Sequence, residues 1–189
     1  MNEVTIDSQN VYSGRLLKLH VDRVKLPNGR ETTREIVEHP GAVAIVPVLD
    51  SGKLLVVKQY RTAARRRLME IPAGTLEAGE APLACARREL IEETGYAAGC
   101  LTKMFSCYLA PGYSTEKIHF FLASQLVPTK ARQAEDESII VQAMDLHKAL
   151  KAIERGKIQD AKTISALYYL ATHQKRQRHK SRRRRSSTW

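Results

Sequence analysis

Long apolar runs are absent from this chain of 189 residues. None reaches the length of about 18 residues that a membrane-spanning helix needs. The first ten residues are polar and carry acids, unlike a secretory signal. Cysteine is scarce, and its three copies, Cys85, Cys100 and Cys107, are an odd number without metal-site spacing. These shortages argue against a membrane span or a disulfide framework and favour reduced thiols in a cytoplasmic protein.

Acidic residues are lacking from residues 174–189, where eight Lys or Arg residues lie. The net charge of the whole chain is +11, and removal of these eight leaves +3 for residues 1–173. The basic character therefore belongs to the end of the chain. A segment that is poor in apolar residues and self-repelling is typical of a disordered, solvated tail. A weak polyanion contact through counterion release is the alternative.

Apolar residues, which make up 43% of the chain, are arranged mostly in short strand-like runs, and three helical segments follow or interrupt them. The predicted strands cover residues 12–26, 30–38, 41–49, 53–60, 68–71, 101–109, 117–123 and 138–143. The turn at Pro27-Asn28-Gly29 joins the first two strands into an N-terminal β-hairpin. The predicted helices cover residues 82–94, 146–155 and 161–173. This order predicts an α+β domain with a mixed sheet.

The first predicted helix carries three acids on one side. At about 100° per residue, Glu93 lies about 40° from Glu89, and Glu92 lies about 60° to the other side. Like charges at these spacings repel each other, and a divalent cation with hard oxygen ligands would offset that repulsion. The alternative is a solvated acidic face with an ion pair between Arg88 and Glu92 at i,i+4.

The pattern around this helix resembles the signature of the Nudix hydrolases. The specified positions are filled by Gly74, Glu80, Arg88, Glu89, Glu92, Glu93 and Gly95, followed by Tyr96 where an aliphatic residue is usual. The resemblance implies a hydrolase that cleaves a nucleoside diphosphate linked to another moiety. It also implies a Nudix-type fold, a mixed β-sheet sandwiched between helices, here with an N-terminal β-hairpin extension.

The resemblance also implies a metal site. Its expected ligands for Mg²⁺, with Mn²⁺ as an alternative, are Glu89, Glu92, Glu93 and the carbonyl of Ala73. Glu80 and Arg88 would support the loop, and Gly74 and Gly95 would have structural roles. A pyrophosphate needs its charge neutralised and a water molecule made nucleophilic, and clustered metal ions supply both.

Further motifs resemble the ADP-ribose pyrophosphatase subgroup over residues 10–172. They are residues 33–47, Gln59–Arg61, Glu70–Gly74, Pro111–Gly112, Glu116, Glu135–Glu137 and Gly156–Leu167. The subgroup implies hydrolysis of ADP-ribose to AMP and ribose 5-phosphate. It also implies a homodimer that exchanges N-terminal strands.

Substrate contacts follow from the same resemblance. Arg61 would bind the substrate phosphates, for which a guanidinium is well shaped; the alternative is a solvated charge at a strand end. Glu70 would bind a ribose hydroxyl or assist the metal site; the alternative is a salt bridge to a nearby arginine. Arg34 and Glu35 would lie on the adenine side. Because the single tryptophan is Trp189, adenine stacking would fall to Arg34, Tyr113 or aliphatic surface.

The acid that activates the attacking water has three candidates in this sequence. Glu137 stands where the subgroup has a mobile-loop glutamate that orients or deprotonates the attacking water. Glu116 is a second candidate or an outer metal partner, and Glu92 is a third. A polar loop acid with no catalytic role is the alternative for Glu137.

The sequence therefore predicts three parts. Residues 1–40 form N-terminal strands for dimerisation and the adenine side, residues 41–173 form the hydrolase domain, and residues 174–189 form the tail. Two other functions stay open. One is a pyrophosphatase for another nucleotide sugar, such as GDP-mannose, or for a dinucleotide. The other is an RNA-associated binding protein that uses the run Arg182–Arg185.

Overall fold

The computed structural model describes residues 2–129 and 139–186, and for residues 174–186 the backbone alone. Within these residues the chain forms ten strands and three α-helices. The strands are β1 (Val4–Ser13), β2 (Lys18–Lys25), β3 (Glu31–Glu38), β4 (Ala42–Pro47), β5 (Leu54–Arg61), β6 (Arg66–Glu70), β7 (Ala73–Thr75), β8 (Tyr96–Tyr108), β9 (Lys117–Pro128) and β10 (Ile140–Met144). The helices are α1 (Pro82–Thr94), α2 (Leu146–Glu154) and α3 (Ala161–Ser186).

The central sheet has the order β7-β4-β9-β8, with β4 parallel to β9 and the other pairs antiparallel. Strand β4 is buried at every position because its two faces meet different helices. Val43 and Ile45 pack in a cluster with Leu90 of α1, whereas Ala44 and Val46 pack with Leu167 of α3. The predicted α+β fold, a mixed sheet between helices, is confirmed.

A second sheet, ordered β10-β5-β6, is antiparallel throughout. Leu54 of β5 belongs to the cluster that α2 and α3 cover, and Leu55 belongs to the cluster that α1 covers. The far end of the β5-β6 pair places Arg61 in register with Arg66. The opposite end of the pair places Glu70 in register with Val57, and β7 begins three residues after Glu70.

The N-terminal segment forms a three-stranded antiparallel sheet, β1-β2-β3, where the sequence predicted a hairpin beginning at Tyr12. Strand β1 was not predicted. All ten of its residues are exposed, so its sequence does not alternate between apolar and polar residues as a half-buried strand does. The turn between β2 and β3 is confirmed, and Gly29 there has φ +84°, a conformation that favours glycine. The sheet is joined to the rest of the chain by backbone bonds between Val37 and the 113–115 loop.

Helix α1 is confirmed over the predicted residues. Pro82 occupies the first turn, where its missing N–H costs no hydrogen bond. Gly95 ends the helix at φ 71°, and its N–H donates to the carbonyl of Ile91 at 2.9 Å. The carboxylates of this helix therefore start from a backbone whose ends are both fixed by local sequence.

Helix α3 continues to Ser186, beyond the predicted end at His173 and through residues expected to be disordered. The extension is rich in Gln, Lys and Arg, which have high intrinsic helix propensity. Propensity therefore wins over charge repulsion along this stretch of backbone. Among the described helices, none combines the length and apolar character that crossing a bilayer requires.

The first turn of α3 is bonded to the end of β6 through Thr163. Its hydroxyl accepts a hydrogen bond from the buried N–H of Ile71 at 2.8 Å and donates to Asp160. Asp160 also accepts from the Thr163 N–H at 2.9 Å, in the manner of an N-cap residue. Thr163 itself is fully buried.

We expect Thr163→Val to lower the free energy of unfolding by about 1–3 kcal/mol, because it leaves the Ile71 N–H buried without an acceptor. Urea denaturation measures the change. Thr172→Val is the matched control, since that exposed threonine only bonds the carbonyl of Tyr168 within α3. Equal effects of the two substitutions would contradict the assigned role of Thr163.

Candidate active site

Arg88 lies among the acids of the α1 region. Its guanidinium donates to both oxygens of Glu80, at 3.0 and 2.9 Å, and Nη1 donates to Glu89 at 2.6 Å and to Glu92 at 3.0 Å. The i,i+4 ion pair that the sequence offered as an alternative is therefore present. The guanidinium offsets the repulsion between the like charges of α1. From the sequence, a divalent cation was expected to do so.

Glu80 fixes the loop before α1. Hydrogen bonds from Arg88 lower the pKa of Glu80 to about 2, so the carboxyl is ionised at neutral pH. Its Oε2 also accepts from the N–H of Glu77 at 3.1 Å, which closes the turn. These contacts join the loop to the first helix. Burial and the neighbouring Glu80 raise the pKa of Cys85 to about 12, which keeps this thiol protonated and unreactive.

Glu89 lies against the backbone of Gly74. A Cβ at residue 74 would stand 1.8 Å from the carboxyl carbon of Glu89, a distance that no pair of atoms tolerates without rearrangement. Only glycine leaves room for this carboxylate. The close approach of a helix acid to the strand therefore explains on steric grounds why the first position of the signature is glycine.

Glu93 reaches the adjacent residue of the same strand. Its side chain is buried, with 4% exposure for the residue, and Oε2 accepts from the N–H of Ala73 at 3.0 Å. Glu89 and Glu93 thus both meet the Ala73–Gly74 backbone of β7. Two carboxylates and a neighbouring peptide form a set of hard oxygen donors, which suits Mg²⁺ or Mn²⁺.

The three predicted ligands do not converge to the same degree. Within residues 2–129 and 139–186, no three His, Cys, Asp or Glu side chains form a group that could hold a metal ion. Glu92, which is half-buried, turns to Arg88, while Glu89 and Glu93 meet at β7. Helical spacing places the three acids on one side, but Arg88 binds Glu89 and Glu92, whereas Glu93 binds the Ala73 N–H. Metal ligation by these residues stays a prediction.

Arg61 and Glu70 form a bidentate ion pair between β5 and β6. Arg61 Nε donates to Glu70 Oε1 at 2.8 Å, and Nη2 donates to Oε2 at 2.9 Å. Burial acts to raise the pKa of Glu70, but hydrogen bonds from Arg61 and the charge of Lys162 outweigh it and hold the pKa below its usual value. The salt bridge that the sequence offered as an alternative for Glu70 is present. Hydrogen bonds to Glu70 raise the pKa of Arg61, and the charge of Glu93 adds to this effect, so the ion pair lies within electrostatic reach of the Glu93 carboxylate of α1.

Three of the remaining predicted residues belong to other parts of the chain than α1. Arg34 makes a two-point ion pair with Glu3, the residue before β1, at 3.1 and 2.6 Å, and Glu35 is an exposed residue of β3. Glu116 is half-buried just before β9, and its N–H donates to Ser114. Glu137 lies outside the described residues.

Sequence reasoning missed one group of side chains. Lys162 and Asp160, at the start of α3, bind each other at 2.8 Å, and Lys162 also donates to Glu70. An acid before a predicted helix is a recognisable N-cap signal. The contact between Lys162 and Glu70 has no local signature, because 92 residues separate the two.

We expect Gly74→Ala to displace the Glu89 carboxylate and to lower turnover at least about a hundredfold, as other misplacements of reacting groups do. Steady-state hydrolysis under saturating divalent cation measures the change. Gly112→Ala is the matched control, because a Cβ there meets open space. Full turnover by a folded Gly74→Ala variant would contradict the role given to this contact.

Comparison with known proteins finds two matching domain families and a similar solved structure. The NUDIX domain family matches residues 38–167, and the nucleoside diphosphate sugar hydrolase N-terminal domain matches residues 3–37. The crystal structure of an ADP compounds hydrolase superposes with a TM-score of 0.83 at 25% identity, and covers 94% of this chain and 96% of the other.

Curated relatives span most of the chain. An ADP-ribose pyrophosphatase of Bacillus subtilis is 46% identical over 90% of this chain and 93% of its own length. A methanol dehydrogenase activator of Bacillus methanolicus is 42% identical over 89% of this chain and 92% of its own length. A GDP-mannose pyrophosphatase of Citrobacter koseri is 38% identical over 69% of this chain and 72% of its own length. The chain belongs to the Nudix hydrolase family.

Proposed function

We propose that this protein is a metal-dependent pyrophosphatase that hydrolyses ADP-ribose to AMP and ribose 5-phosphate. The observation that carries the proposal is the meeting of Glu89 and Glu93 at Ala73–Gly74, within electrostatic reach of Arg61. Anionic oxygens beside a cationic guanidinium suit a substrate whose diphosphate must be held by both metal and arginine. The 46% identity to an ADP-ribose pyrophosphatase supports this choice of substrate.

The metal is the first part of the proposal. Nudix hydrolases generally use divalent metal ions, and here Glu89, Glu93 and the carbonyl of Ala73 would hold Mg²⁺ or Mn²⁺, with Glu92 as a further ligand. The bound ion would neutralise phosphate charge and make a water molecule more acidic. Arg88 holds Glu89 and Glu92 in place, because it already donates to both.

The chain's own residues supply binding and proton transfer. Arg61 binds a phosphate oxygen with the guanidinium edge that Glu70 does not use. Water activation is assigned to an acid, with Glu137 first and Glu116 or Glu92 as alternatives. Glu93 is already engaged with the Ala73 N–H, so a ligand role suits it better than a role as general base.

The alternative substrate is another nucleotide sugar. GDP-mannose is favoured among these because a GDP-mannose pyrophosphatase is 38% identical to this chain. ADP-ribose is placed first because the relative bearing that name is more similar and spans more of the chain. A purely RNA-associated role is the weakest candidate, since the clustered carboxylates of α1 have no use in it.

A homodimer in the cytoplasm completes the proposal. Strand β1 is exposed at every position, with Val4 63% and Tyr12 60% exposed, as expected of a strand that a second copy covers. Arg34 and Glu35 of that copy would then complete the adenine side. The three cysteines are all free, in keeping with a reducing compartment.

We expect Glu93→Gln to lower the turnover of ADP-ribose by several orders of magnitude with the fold intact, because the amide still accepts from Ala73 N–H but carries no charge for a cation. Hydrolysis is measured on ADP-ribose, GDP-mannose and a dinucleotide, each with Mg²⁺, Mn²⁺ or a chelator. Glu154→Gln, an exposed acid of α2, is the control.

Three outcomes of this experiment are decisive. Retained turnover in Glu93→Gln would refute the metal assignment. Hydrolysis that persists in the chelator would refute the requirement for a divalent cation. A hexose nucleotide that ranks well above ADP-ribose would move the substrate to the alternative.

We expect the wild-type protein to sediment as a dimer at micromolar concentration and Val11→Lys with Tyr12→Lys to sediment as a monomer. The reason is that the two charges would be buried against a second copy at great cost. Val127→Lys, at an exposed apolar residue of β9, is the control and stays dimeric. A monomeric wild-type protein with full activity would overturn the dimer.

A further inference from the structure

A charged network distinct from the Arg88 group joins α3 to β5 and β6. Both oxygens of Glu70 accept from Arg61, and Lys162 Nζ also donates to Glu70 Oε2. Lys162 is held in turn by Asp160 at 2.8 Å. One carboxylate thus binds two cations, one from a strand and one from a helix.

The members of this network differ in their exposure to solvent. Glu70 is 1% exposed and the side chain of Lys162 is 13% exposed, whereas the Arg61 side chain is 38% exposed. A bound nucleotide can therefore reach Arg61 but not the carboxylate behind it. Buried charges must be paired, and the pairing of Glu70 with two cations meets that requirement.

We propose that Lys162 is a positioning residue, which acts through Glu70 to hold Arg61 oriented for the substrate diphosphate. The inference rests on the proposed diphosphate-binding role of Arg61. If Arg61 were the only partner of Glu70, the buried carboxylate would cancel most of its attraction for a second anion. Lys162 neutralises part of the negative charge of Glu70. The Nη1 group of Arg61, which does not bond Glu70, then has its positive charge available for phosphate oxygens.

The placement of Lys162 is itself fixed by the helix start. Asp160 accepts from Lys162 Nζ and from the Thr163 N–H at 2.9 Å, so the ammonium group is tied to the first turn of α3. Thr163 binds the Ile71 N–H next to Glu70. The helix and the strand end therefore share one bonded frame. The charges of Arg61, Glu70, Lys162 and Asp160 sum to zero, and loss of Lys162 leaves Arg61 as the one cation of this network that is paired with Glu70.

Direct binding of ADP tests the proposal without depending on turnover. Calorimetry in the presence of chelator gives the Kd of ADP for the wild-type protein, Lys162→Met and Lys162→Arg. We expect Lys162→Met to raise this Kd about tenfold, which corresponds to the loss of one well-placed charge contact, and Lys162→Arg to stay within about threefold of wild type. Steady-state kinetics in Mg²⁺ should show the same rise in KM with kcat changed less than about threefold.

Two further variants separate positioning from general effects. In a Glu70→Gln background, Lys162→Met should change the Kd of ADP less than about twofold, because the intermediary is gone. Arg66→Met removes a positive charge directly across from Arg61 without contacting Glu70 in the structure, and we expect it to leave the Kd within about twofold of wild type. Thermal unfolding of each variant checks that the protein measured is folded.

Each outcome decides the matter. An unchanged Kd in Lys162→Met, an undiminished effect in the Glu70→Gln background, or an equal effect of Arg66→Met overturns the positioning role. Failure of the wild-type protein to bind ADP overturns it as well, because Arg61 then holds no diphosphate. Binding of ADP without hydrolysis of any nucleotide sugar would instead refute the proposed function and leave the Lys162 test intact.

Discussion

The candidate active site places several carboxylates close together, and a cation of the protein itself must offset their mutual repulsion. Arg88 meets that requirement, because its guanidinium donates to Glu80, Glu89 and Glu92 at once. A planar group with five N–H donors can do this, whereas an ammonium group with three could not span the same positions. The helix and the loop that precedes it are thereby held together by the same side chain.

The segment from Glu70 to Gly74 is the point where the two halves of the site meet. Glu70 binds Arg61 and Lys162, the Ile71 N–H donates to Thr163, and the Pro72 carbonyl accepts from Ile45. The Ala73 N–H donates to Glu93, and Gly74 gives room to Glu89. Five consecutive residues thus each carry a contact to another element. Helix α1 holds one end of this segment and helix α3 holds the other.

The sequence predicted the local features of this arrangement and few of its long-range ones. Helix α1, its proline start and its glycine end were predictable because their signals lie within the helix itself. The acids of α1 could be placed on one side, but not assigned to Arg88 or to β7, since helical spacing does not state which partner a side chain takes. Strand β1 left no pattern because both of its faces are exposed. The pairing of Lys162 with Glu70 joins residues 92 apart and could not be read from either neighbourhood.

The shared segment has a consequence for how this protein tolerates change. A substitution that moves the backbone near Pro72 would disturb the contacts of the α1 carboxylates on one side and those of the Arg61 guanidinium on the other. Energetic effects of replacements in α1 and in α3 should therefore be non-additive, although the two helices lie on opposite faces of the sheet. Any attempt to redirect specificity would have to vary both helices jointly, since neither can be optimised while the other is kept constant.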